Sequence, residues 1–257
     1  IYSVAGMLPG LQPIMSSRPF RAPHHSTSSI ALVGGGTNPR PGEITLSHRG
    51  VLFLDEFPEF PRSVLEALRQ PLEDGVITVS RAQGSVTFPA RFTLVASSNP
   101  CPCGYAGDGG HPCVCSPSSV IRYRRRISGP LLDRIDLHVD VPRVKVDHLT
   151  GNEVAESSAI VRERVAKARV LQRQRFTGTH LVTNSEMGAR DIKTTCVLDE
   201  ESIACIKNAI TQFHLSARAY HRVLKIARTI ADLAGEERIL LPHIAEALQY
   251  RPKQEEL

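Results

Sequence analysis

The chain of 257 residues is 41% hydrophobic and 22% charged, which is typical of a soluble globular protein with one large core or two unequal domains. No apolar run approaches the ~20 residues that a membrane helix needs, and the N-terminal segment has neither a basic n-region nor a secretory apolar region. We therefore expect a cytoplasmic protein and, because no initiator Met opens the sequence, one that starts here inside a longer chain. The net charge of +5 mildly favours an anionic partner.

The first half of the chain carries the pattern of an α/β domain. Residues 1–50, rich in Pro, Gly, Ser and His, predict ordered loop with little regular structure. VLFLDE (51–56) is a continuous apolar run of strand length, as in a central parallel strand. Residues 61–75 predict a helix with one apolar face, and two β-prone arms at 76–88 predict a hairpin with its tip at 82–84.

Further strands and a second domain follow. FTLVASSNP (92–100) and IDLHVDVP (135–142) predict two more buried strands, and the helix-sized intervals between strands favour a parallel sheet. From residue 153 the patterns are almost all helical, so we expect an α/β domain at 1–148 and an all-helical domain at 149–257. The predicted helices of the second domain span 153–176, with Val154, Val161, Val165 and Ala168 on an apolar stripe, 199–213, 216–235 and 242–250.

Polar and charged side chains come at the ends of the predicted strands. Asp55 and Glu56 end the first strand, Asn99 ends the next, and Arg134 lies at a turn before the third. By itself, an apolar strand that ends in Asp-Glu is a poor signal and favours a strand with a solvated acidic edge. Phosphoryl transfer needs carboxylates for Mg²⁺ and the attacking water, a polar group that aligns the water, and a cation near the γ-phosphate. Because parallel sheets bind ligands at the carboxyl ends of their strands, the four residues together predict a nucleotide-hydrolysis site.

Long stretches of the sequence resemble one family of ATPases. The segments that carry the resemblance are PGEITLSHRGVLFLDEFPEF, ITVSRAQGSVTFPARFTLVASSNPCPCG and RISGPLLDRIDLHVDVP, with RPFRAPHHSTS before them and LSARAYHRVLKIARTIADL after them. They are similar to AAA+ ATPases of the magnesium-chelatase-like group, and within it to the ComM/YifB subfamily, over essentially all of the chain. The resemblance implies an α/β fold: a partial P-loop NTPase core with β-hairpin insertions, followed by an all-helical lid.

The resemblance also implies a role for each candidate residue. Asp55 would hold Mg²⁺ through water, Glu56 would activate the attacking water, and Asn99 would serve as sensor 1. Arg134 matches the arginine finger, which reaches the nucleotide of a neighbouring subunit, and Arg218 matches sensor 2, which binds the ATP phosphate. The alternative for either arginine is a salt-bridged surface residue.

By the same resemblance, the intact protein would form a hexameric ring, bind ATP and Mg²⁺, and act on DNA as a branch-migration helicase in recombination during natural transformation. Two alternatives stay open. A chelatase-type motor subunit would drive metal insertion, whereas a DNA-binding or scaffolding fragment would have no hydrolysis of its own.

The phosphate-binding loop of such an ATPase does not occur in this sequence. A P-loop needs G-x-x-x-x-G-K-[ST], whose backbone N–H groups wrap the phosphates. GGGTNPRP (34–41) has the glycines but no Gly-Lys-Ser/Thr, and it follows a His-rich loop rather than a strand. In the family resembled, this loop precedes the segment that begins here, so we expect this chain alone to bind ATP weakly or not at all.

Four of the six cysteines lie close together. Cys101, Cys103, Cys113 and Cys115 form a C-x-C…C-x-C arrangement, with His111 between the two pairs. Four thiolates suit a tetrahedral Zn²⁺, although the usual chelating pair is C-x₂-C. Three interpretations stay open: a structural zinc site, reduced structural thiols, or a disulfide, which the lack of a signal peptide disfavours.

For nucleic acid, the predicted contacts are Arg81 near the hairpin tip and Arg40 in the Gly-rich loop. In this ATPase group, inserted hairpins project into the central pore of the ring, where basic residues can follow a phosphate backbone. RYRRRIS (122–128) is more basic still, but its position before the arginine-finger candidate suits a subunit interface or a nucleotide contact as well as DNA. With aromatic residues at 5% and no Trp, base stacking is a minor expectation.

Overall fold

A computed structural model describes residues 1–8, 14–36, 40–81, 84–107, 109–144, 155–213 and 215–251. The chain divides into two compact units, Ile1–Ile135 and Asp136–Leu257. The predicted domain boundary at 148/149 falls outside the described residues and stays a prediction. Within the described ranges, no helix has the length and apolar character needed to cross a membrane.

The first unit mixes short helices with strands. Its elements, in chain order, are β1 (Phe20–Arg21), α1 (Ser29–Val33), β2 (Gly34–Gly35), β3 (Arg40–Pro41), α2 (Glu43–Leu46), β4 (Val51–Leu54), α3 (Arg62–Ala67), α4 (Arg69–Asp74), β5 (Val76–Arg81), β6 (Gly84–Pro89), β7 (Thr93–Ala96), α5 (Pro117–Arg124) and α6 (Gly129–Leu132).

A three-stranded parallel sheet in the order β1-β4-β7 organises this unit. Leu52 of the central strand pairs with Arg21 on one side and Leu94 on the other. Leu52 and Leu54 are fully buried, and burying a leucine side chain contributes about 1.5–3 kcal/mol. The predicted central parallel strand is therefore confirmed, and with it the predicted α/β class.

The core of the first unit packs against this sheet. Its buried residues are Leu32, Ile44, Leu52, Leu54, Phe57, Phe60, Val64, Leu65, Leu68, Ile77, Ala90 and Leu131. Because the chain on both sides of β4 contributes to this cluster, the end of β4 is held firmly where the acidic residues follow.

The predicted hairpin is confirmed, since β5 pairs with β6 in antiparallel register from Val76–Pro89 to Arg81–Gly84. Its tip at 82–83 lies outside the described residues. The single helix predicted at 61–75 is instead two helices, α3 and α4, which meet at Leu68. Pro71 has no N–H to donate to the preceding turn, which accounts for the break.

The strand predicted at 135–142 is wrong. The described residues of this segment join no sheet, and Leu137, Val139 and Val141 are 51%, 66% and 86% exposed. The His138 N–H donates to the Tyr250 carbonyl at 2.9 Å instead of to a neighbouring strand. Alternating apolar residues form a half-buried strand only where a neighbouring strand is available for pairing. The sequence pattern does not report whether such a strand is present.

The Gly-rich segment forms a tight backbone crossing. β2 pairs with β3 in antiparallel register, and a Cβ on Gly34 would lie 2.6 Å from the Arg40 carbonyl oxygen. A Cβ on Gly42 would lie 2.4 Å from the Leu32 carbonyl oxygen. Close backbone packing therefore accounts for these glycines. The expectation of little regular structure in residues 1–50 missed two short helices, α1 and α2, each of which buries apolar residues in the core.

The second unit is helical, as predicted. It contains α7 (Ser158–Arg175), α8 (Ala189–Thr195), α9 (Glu200–Phe213), α10 (Ala217–Ala234) and α11 (Leu241–Gln249). The Asp199 carboxylate accepts from the Ser202 N–H at 2.8 Å, and Ser216 Oγ accepts from the Ala219 N–H at 3.1 Å. Gly235 ends α10 in the left-handed conformation with φ 79°. These capping residues explain where the helices start and stop.

The apolar stripe predicted for α7 is wrong over its first turns. Val161 and Val165 are 37% and 46% exposed, and Val154 lies outside the described residues. The buried residues of α7 are Ala168 and Gln172. Only the C-terminal part of the helix packs on its unit, so helical spacing alone overestimated the contact.

A buried ionic network holds α7 to α10. Asp232, whose side chain is fully buried, pairs with Arg175 at 2.5 Å and Arg228 at 3.0 Å. Asn184 Nδ2 donates to the same carboxylate at 2.8 Å. Burial would raise the pKa of Asp232, but the hydrogen bonds from Arg175 and Asn184 and the charge of Arg228 outweigh it and hold that pKa below its ordinary value of 3.8.

Replacing Asp232 with Ala should lower the free energy of unfolding of the second unit by about 3–5 kcal/mol, because it leaves the buried Arg228 without its carboxylate. In the parent chain the contribution of Asp232 is present above its ordinary pKa of 3.8 and is lost as the pH falls through the lower folded value. Urea unfolding monitored across the acidic range measures both effects. Glu163→Ala, on an exposed part of α7, is the control, and an acid profile unchanged in Asp232→Ala would contradict the assignment.

Replacing Gly50 with Ala should destabilise the first unit by about 1–3 kcal/mol through overpacking. A Cβ on Gly50 would lie 1.9 Å from the Pro19 carbonyl oxygen, next to the pairing of β1 with β4. Gly129→Ala, where nothing lies within 4 Å of the added Cβ, is the matched control. Equal denaturation midpoints for the two variants would show that this close approach is not needed.

Candidate nucleotide site and cysteine cluster

Asp55 and Glu56 leave the sheet at its carboxyl edge, directly after β4, and both residues are exposed. Asp55 Oδ1 accepts hydrogen bonds from Ser97 Oγ and, at 3.0 Å, from the Glu56 N–H. The Ser97 N–H in turn donates to the Leu54 carbonyl at 3.1 Å. The residue that follows β7 therefore fixes the Asp55 carboxylate at the edge of the sheet.

Glu56 has a left-handed backbone, with φ 53° and ψ 45°, which costs a non-Gly residue roughly 1–2 kcal/mol. Two hydrogen bonds hold it there: the Phe57 N–H donates to the Ser97 carbonyl at 2.8 Å, and the Glu59 N–H donates to the Glu56 carbonyl at 2.7 Å. Backbone strain of this kind concentrates at functional sites. Here it falls on the residue that the resemblance assigns to water activation.

The chain that follows β1 contacts this acidic edge. His25 Nδ1 lies 2.9 Å from Glu56 Oε2, with the two side chains 32% and 50% exposed. The sequence motif around His25 helped to identify the family, but His25 itself was missed as a site residue. The signal that could have found it is the pairing of β1 with β4, and a two-residue strand is too short for hydrophobic periodicity to detect.

The donor set at this edge fits Mg²⁺ bound to a nucleotide. Asp55 offers an exposed carboxylate to the ion, and Mg²⁺ is held by one or two carboxylates together with water and substrate phosphates. One carboxylate is too few for a cation held by protein alone, so water and phosphates would complete the coordination. The exposed Glu56 carboxylate stays available to an attacking water.

Asn99 lies two residues beyond Ser97 and is exposed. The Tyr123 hydroxyl of α5 lies against the Asn99 backbone, and burial raises the pKa of this tyrosine. Asn99 therefore lies on a loop that Tyr123 of α5 contacts, and it follows Ser97, the partner of Asp55, by two residues. Its role as sensor 1 stays a prediction.

Arg134 lies just after α6 and is paired with a carboxylate of its own unit. Its Nη2 contacts Glu73 of α4, its Nη1 donates to the Pro130 carbonyl at 2.7 Å, and its side chain is 11% exposed. Arg134 Nε is buried without a hydrogen-bond partner among the described residues. The guanidinium is therefore held at Glu73 in this chain, and its role as arginine finger stays a prediction.

The other predicted arginines are spread over the chain. Arg218 is exposed in the first turn of α10, in the second unit, and Arg40 is exposed in β3. Arg81 ends β5, and its side chain lies outside the described residues. The predicted contacts of Arg218 with phosphate and of Arg40 and Arg81 with nucleic acid stay predictions.

The four clustered cysteines converge in space. The Sγ atoms of Cys101, Cys103, Cys113 and Cys115 all lie within 4.8 Å of one another. Cys101 Sγ is 3.3 Å from Cys103 Sγ and 3.7 Å from Cys113 Sγ, and the remaining pair of these three is 3.6 Å apart. A tetrahedral zinc with Zn–S bonds of ~2.3 Å has sulfurs about 3.8 Å apart, whereas a disulfide needs about 2.05 Å. The spacing fits a four-thiolate metal site, and all four cysteines are free.

The thiols differ in acidity. The Tyr105 backbone N–H donates to Cys103 and lowers the pKa of that thiol to about 6, while the contact with Cys103 and burial raise the pKa of Cys115 to about 12. Because a thiol binds a metal in its deprotonated form, zinc binding here would release protons from these thiols. His111 packs edge-on against Tyr105, with ring centroids 5.2 Å apart, and does not belong to the sulfur cluster.

Comparison with known proteins shows the family of the chain. The family model described as magnesium chelatase, subunit ChlI, matches residues 1–149, and the model of the ChlI C-terminal part matches residues 155–251. The competence protein ComM of Haemophilus influenzae is 52% identical over 237 residues, which cover 91% of this chain and 45% of ComM. The uncharacterized protein YifB of Escherichia coli is 46% identical over 235 residues, with the same coverage of 91% and 45%.

A more distant relative is the DNA replication licensing factor Mcm6 of Drosophila melanogaster, 21% identical over 216 residues that cover 81% of this chain and 25% of Mcm6. The chain spans about half the length of ComM and of the mycobacterial protein Mb2921c, 45% and 50%. The resemblance seen in the motifs is confirmed by the matches to both parts of the family model, and the chain belongs to the magnesium chelatase ChlI family.

Proposed function

We propose that this chain is part of an AAA+ ATPase that assembles into a hexameric ring and uses ATP hydrolysis to move DNA strands. The proposed biological task is branch migration during the recombination of incoming DNA in natural transformation, in the cytoplasm. The chain would supply the catalytic edge, the sensor and arginine-finger residues, and the helical lid.

One observation carries the proposal. Two exposed carboxylates follow the central strand of a parallel sheet, and both are held by specific contacts: Asp55 by Ser97, and Glu56 on a left-handed backbone against His25. A solvated acidic edge would need neither the strain nor the contacts. Phosphoryl transfer needs both carboxylates in fixed positions.

Each residue then has a chemical task. Bound Mg²⁺ would neutralise charge on the β- and γ-phosphate oxygens, and Asp55 would hold it through water. Glu56 would accept a proton from the attacking water, and Asn99 would align that water. Arg218 would contact a phosphate from the lid.

Arg134 would act on the nucleotide of the neighbouring subunit. To do so, its guanidinium must leave the Glu73 carboxylate and bind the γ-phosphate. Both partners are anions that accept charge-assisted hydrogen bonds. Arg134 Nε is buried and has no hydrogen-bond partner in the part of the chain that the structure describes, and this unused donor supports such an exchange. Arginine fingers contribute about 10³–10⁵ to kcat in GTPases, and a comparable contribution would make hydrolysis depend on assembly.

DNA is the favoured partner over a metal-insertion substrate. ComM is a competence protein and Mcm6 a DNA replication licensing factor by name, and the chain carries a net charge of +5. Arg81 at the end of a hairpin and the exposed Arg40 are the proposed contacts with a phosphate backbone. The name of the ChlI family model favours the second candidate, a motor subunit for metal insertion.

These functions can be distinguished by the ATPase rate of a protein that has the full length of its relatives. We expect DNA to raise the rate, and Glu56→Gln to lower it by about 10²–10⁴, the contribution of a general base. Stimulation by a porphyrin with partner subunits, and not by DNA, would support the chelatase instead. DNA binding without turnover would support a scaffold.

We also propose that the four cysteines hold one structural zinc ion. The site would cross-link the loop that follows Asn99 to the start of α5, because Cys101 is buried two residues after Asn99 and Ser116 caps α5 directly after Cys115. Four thiolates and no open position are typical of a structural rather than a catalytic zinc.

Purification without chelators should yield about one zinc per chain by elemental analysis, the stoichiometry of a single four-thiolate site. Cys113→Ser should lower both the zinc content and the thermal midpoint of the first unit, because zinc binding stabilises the fold that forms the site. Cys205→Ser, at a partly buried cysteine packed against the core of the second unit, is the control. Zinc well below one equivalent in the parent chain would leave reduced thiols as the explanation.

A further inference from the structure

The contact between His25 and Glu56 assigns a proton. A carboxylate oxygen of an ionised glutamate can only accept a hydrogen bond, so the His25 nitrogen that faces it must donate. That nitrogen is Nδ1, at 2.9 Å from Glu56 Oε2. The geometry therefore requires hydrogen on Nδ1, whichever charge the ring carries.

The His25 ring is held from two other sides. It lies against His24 with centroids 4.0 Å apart and ring planes tilted by 35°, and it meets Phe60 edge-on at 6.4 Å. Phe60 is 2% exposed, and the Ser26 N–H donates to His24 Nδ1 at 3.3 Å. His25 thus points at Glu56 from a packed position, unlike a surface side chain that samples many rotamers.

The backbone that carries His25 is anchored to the same sheet as Glu56. Phe20 and Arg21 of β1 pair with Val51 and Leu52 of β4, and the Arg21 guanidinium donates to both carboxylate oxygens of Glu43 at 2.5 and 2.6 Å. Because β1 and β4 run parallel, the chain leaves both strands at the same edge. Parallel pairing therefore brings His25 and Glu56 together.

We infer that His25 is a positioning residue for Glu56. Its Nδ1–H holds Oε2 and so fixes the rotation of the carboxylate, which leaves the carboxylate able to accept the proton of an attacking water through its other oxygen. An exposed ion pair contributes only about 0–1 kcal/mol to stability. The contact is therefore better suited to preorganisation: it fixes the carboxylate of a base whose backbone is already strained. The inference rests on the proposed ATPase function and extends it to a segment outside the strand ends.

The contact itself can be tested in the 257-residue chain by long-range ¹H–¹⁵N correlation NMR of histidine side chains. We expect His25 to carry hydrogen on Nδ1, and Glu56→Gln to shift its Nδ1 signal. Glu59→Gln, three residues along and paired with Arg126 at 2.5 Å, should leave that signal in place. A His25 ring protonated only on Nε2, or one that ignores Glu56→Gln, would overturn the inference.

The role can be tested by steady-state ATP hydrolysis of the full-length protein. His25→Ala should lower kcat about tenfold with KM for ATP unchanged, since misplacement of a catalytic group costs up to 10²-fold. His25→Asn should restore most of kcat, because its amide nitrogen occupies the place of Nδ1, whereas a purely structural role of the ring would not be rescued. His180→Ala, exposed in the second unit, is the control.

Comparing Glu56→Gln with His25→Ala distinguishes failure of this inference from failure of the proposed function. If Glu56→Gln leaves ATP hydrolysis intact, the proposed role of Glu56 is wrong, and the inference falls with it even where the NMR contact is present. If Glu56→Gln abolishes hydrolysis while His25→Ala keeps the full kcat, Glu56 is the base and His25 does not position it.

Discussion

The parallel pairing of β4 with a strand on each side is the constraint on which the candidate site depends. Register on one side brings Ser97 to Asp55, and register on the other brings His25 to Glu56. A slip of one residue in either pairing would turn the side chains of that strand to the opposite face and break the corresponding contact. The chemistry at the edge is thus tied to the buried apolar pairs of the sheet.

In both units, arginine side chains pair with carboxylates of the same unit. In the first, Glu73 holds Arg134 and Glu43 holds Arg21, and in the second Asp232 holds two arginines. The second unit buries its ionic network, which suits a rigid helical body. Under the proposed function the pair formed by Arg134 must exchange partners, so the same kind of interaction would serve stability in one unit and assembly in the other.

Much of the fold could be predicted from sequence because the signals are local. VLFLDE indicated a central strand, and Ser216 and Gly235 marked the ends of a helix. The segment at 135–142 misled because alternation reports side-chain pattern and not the presence of a partner strand. His25 was missed for the same reason, since its position depends on a two-residue pairing between distant parts of the chain. The convergence of the cysteine sulfurs likewise needs the path of the loop, which spacing alone does not determine.

The central claim is that Asp55 and Glu56 are the working pair of an ATP-hydrolysing site, with Glu56 as the base. Single-turnover hydrolysis of bound ATP by the full-length protein tests it most directly, with Glu56→Gln compared against Glu59→Gln. ATP that stays bound with Mg²⁺ but is not hydrolysed in Glu56→Gln, beside normal turnover in Glu59→Gln, is the predicted result. Equal single-turnover rates for the two variants would contradict it.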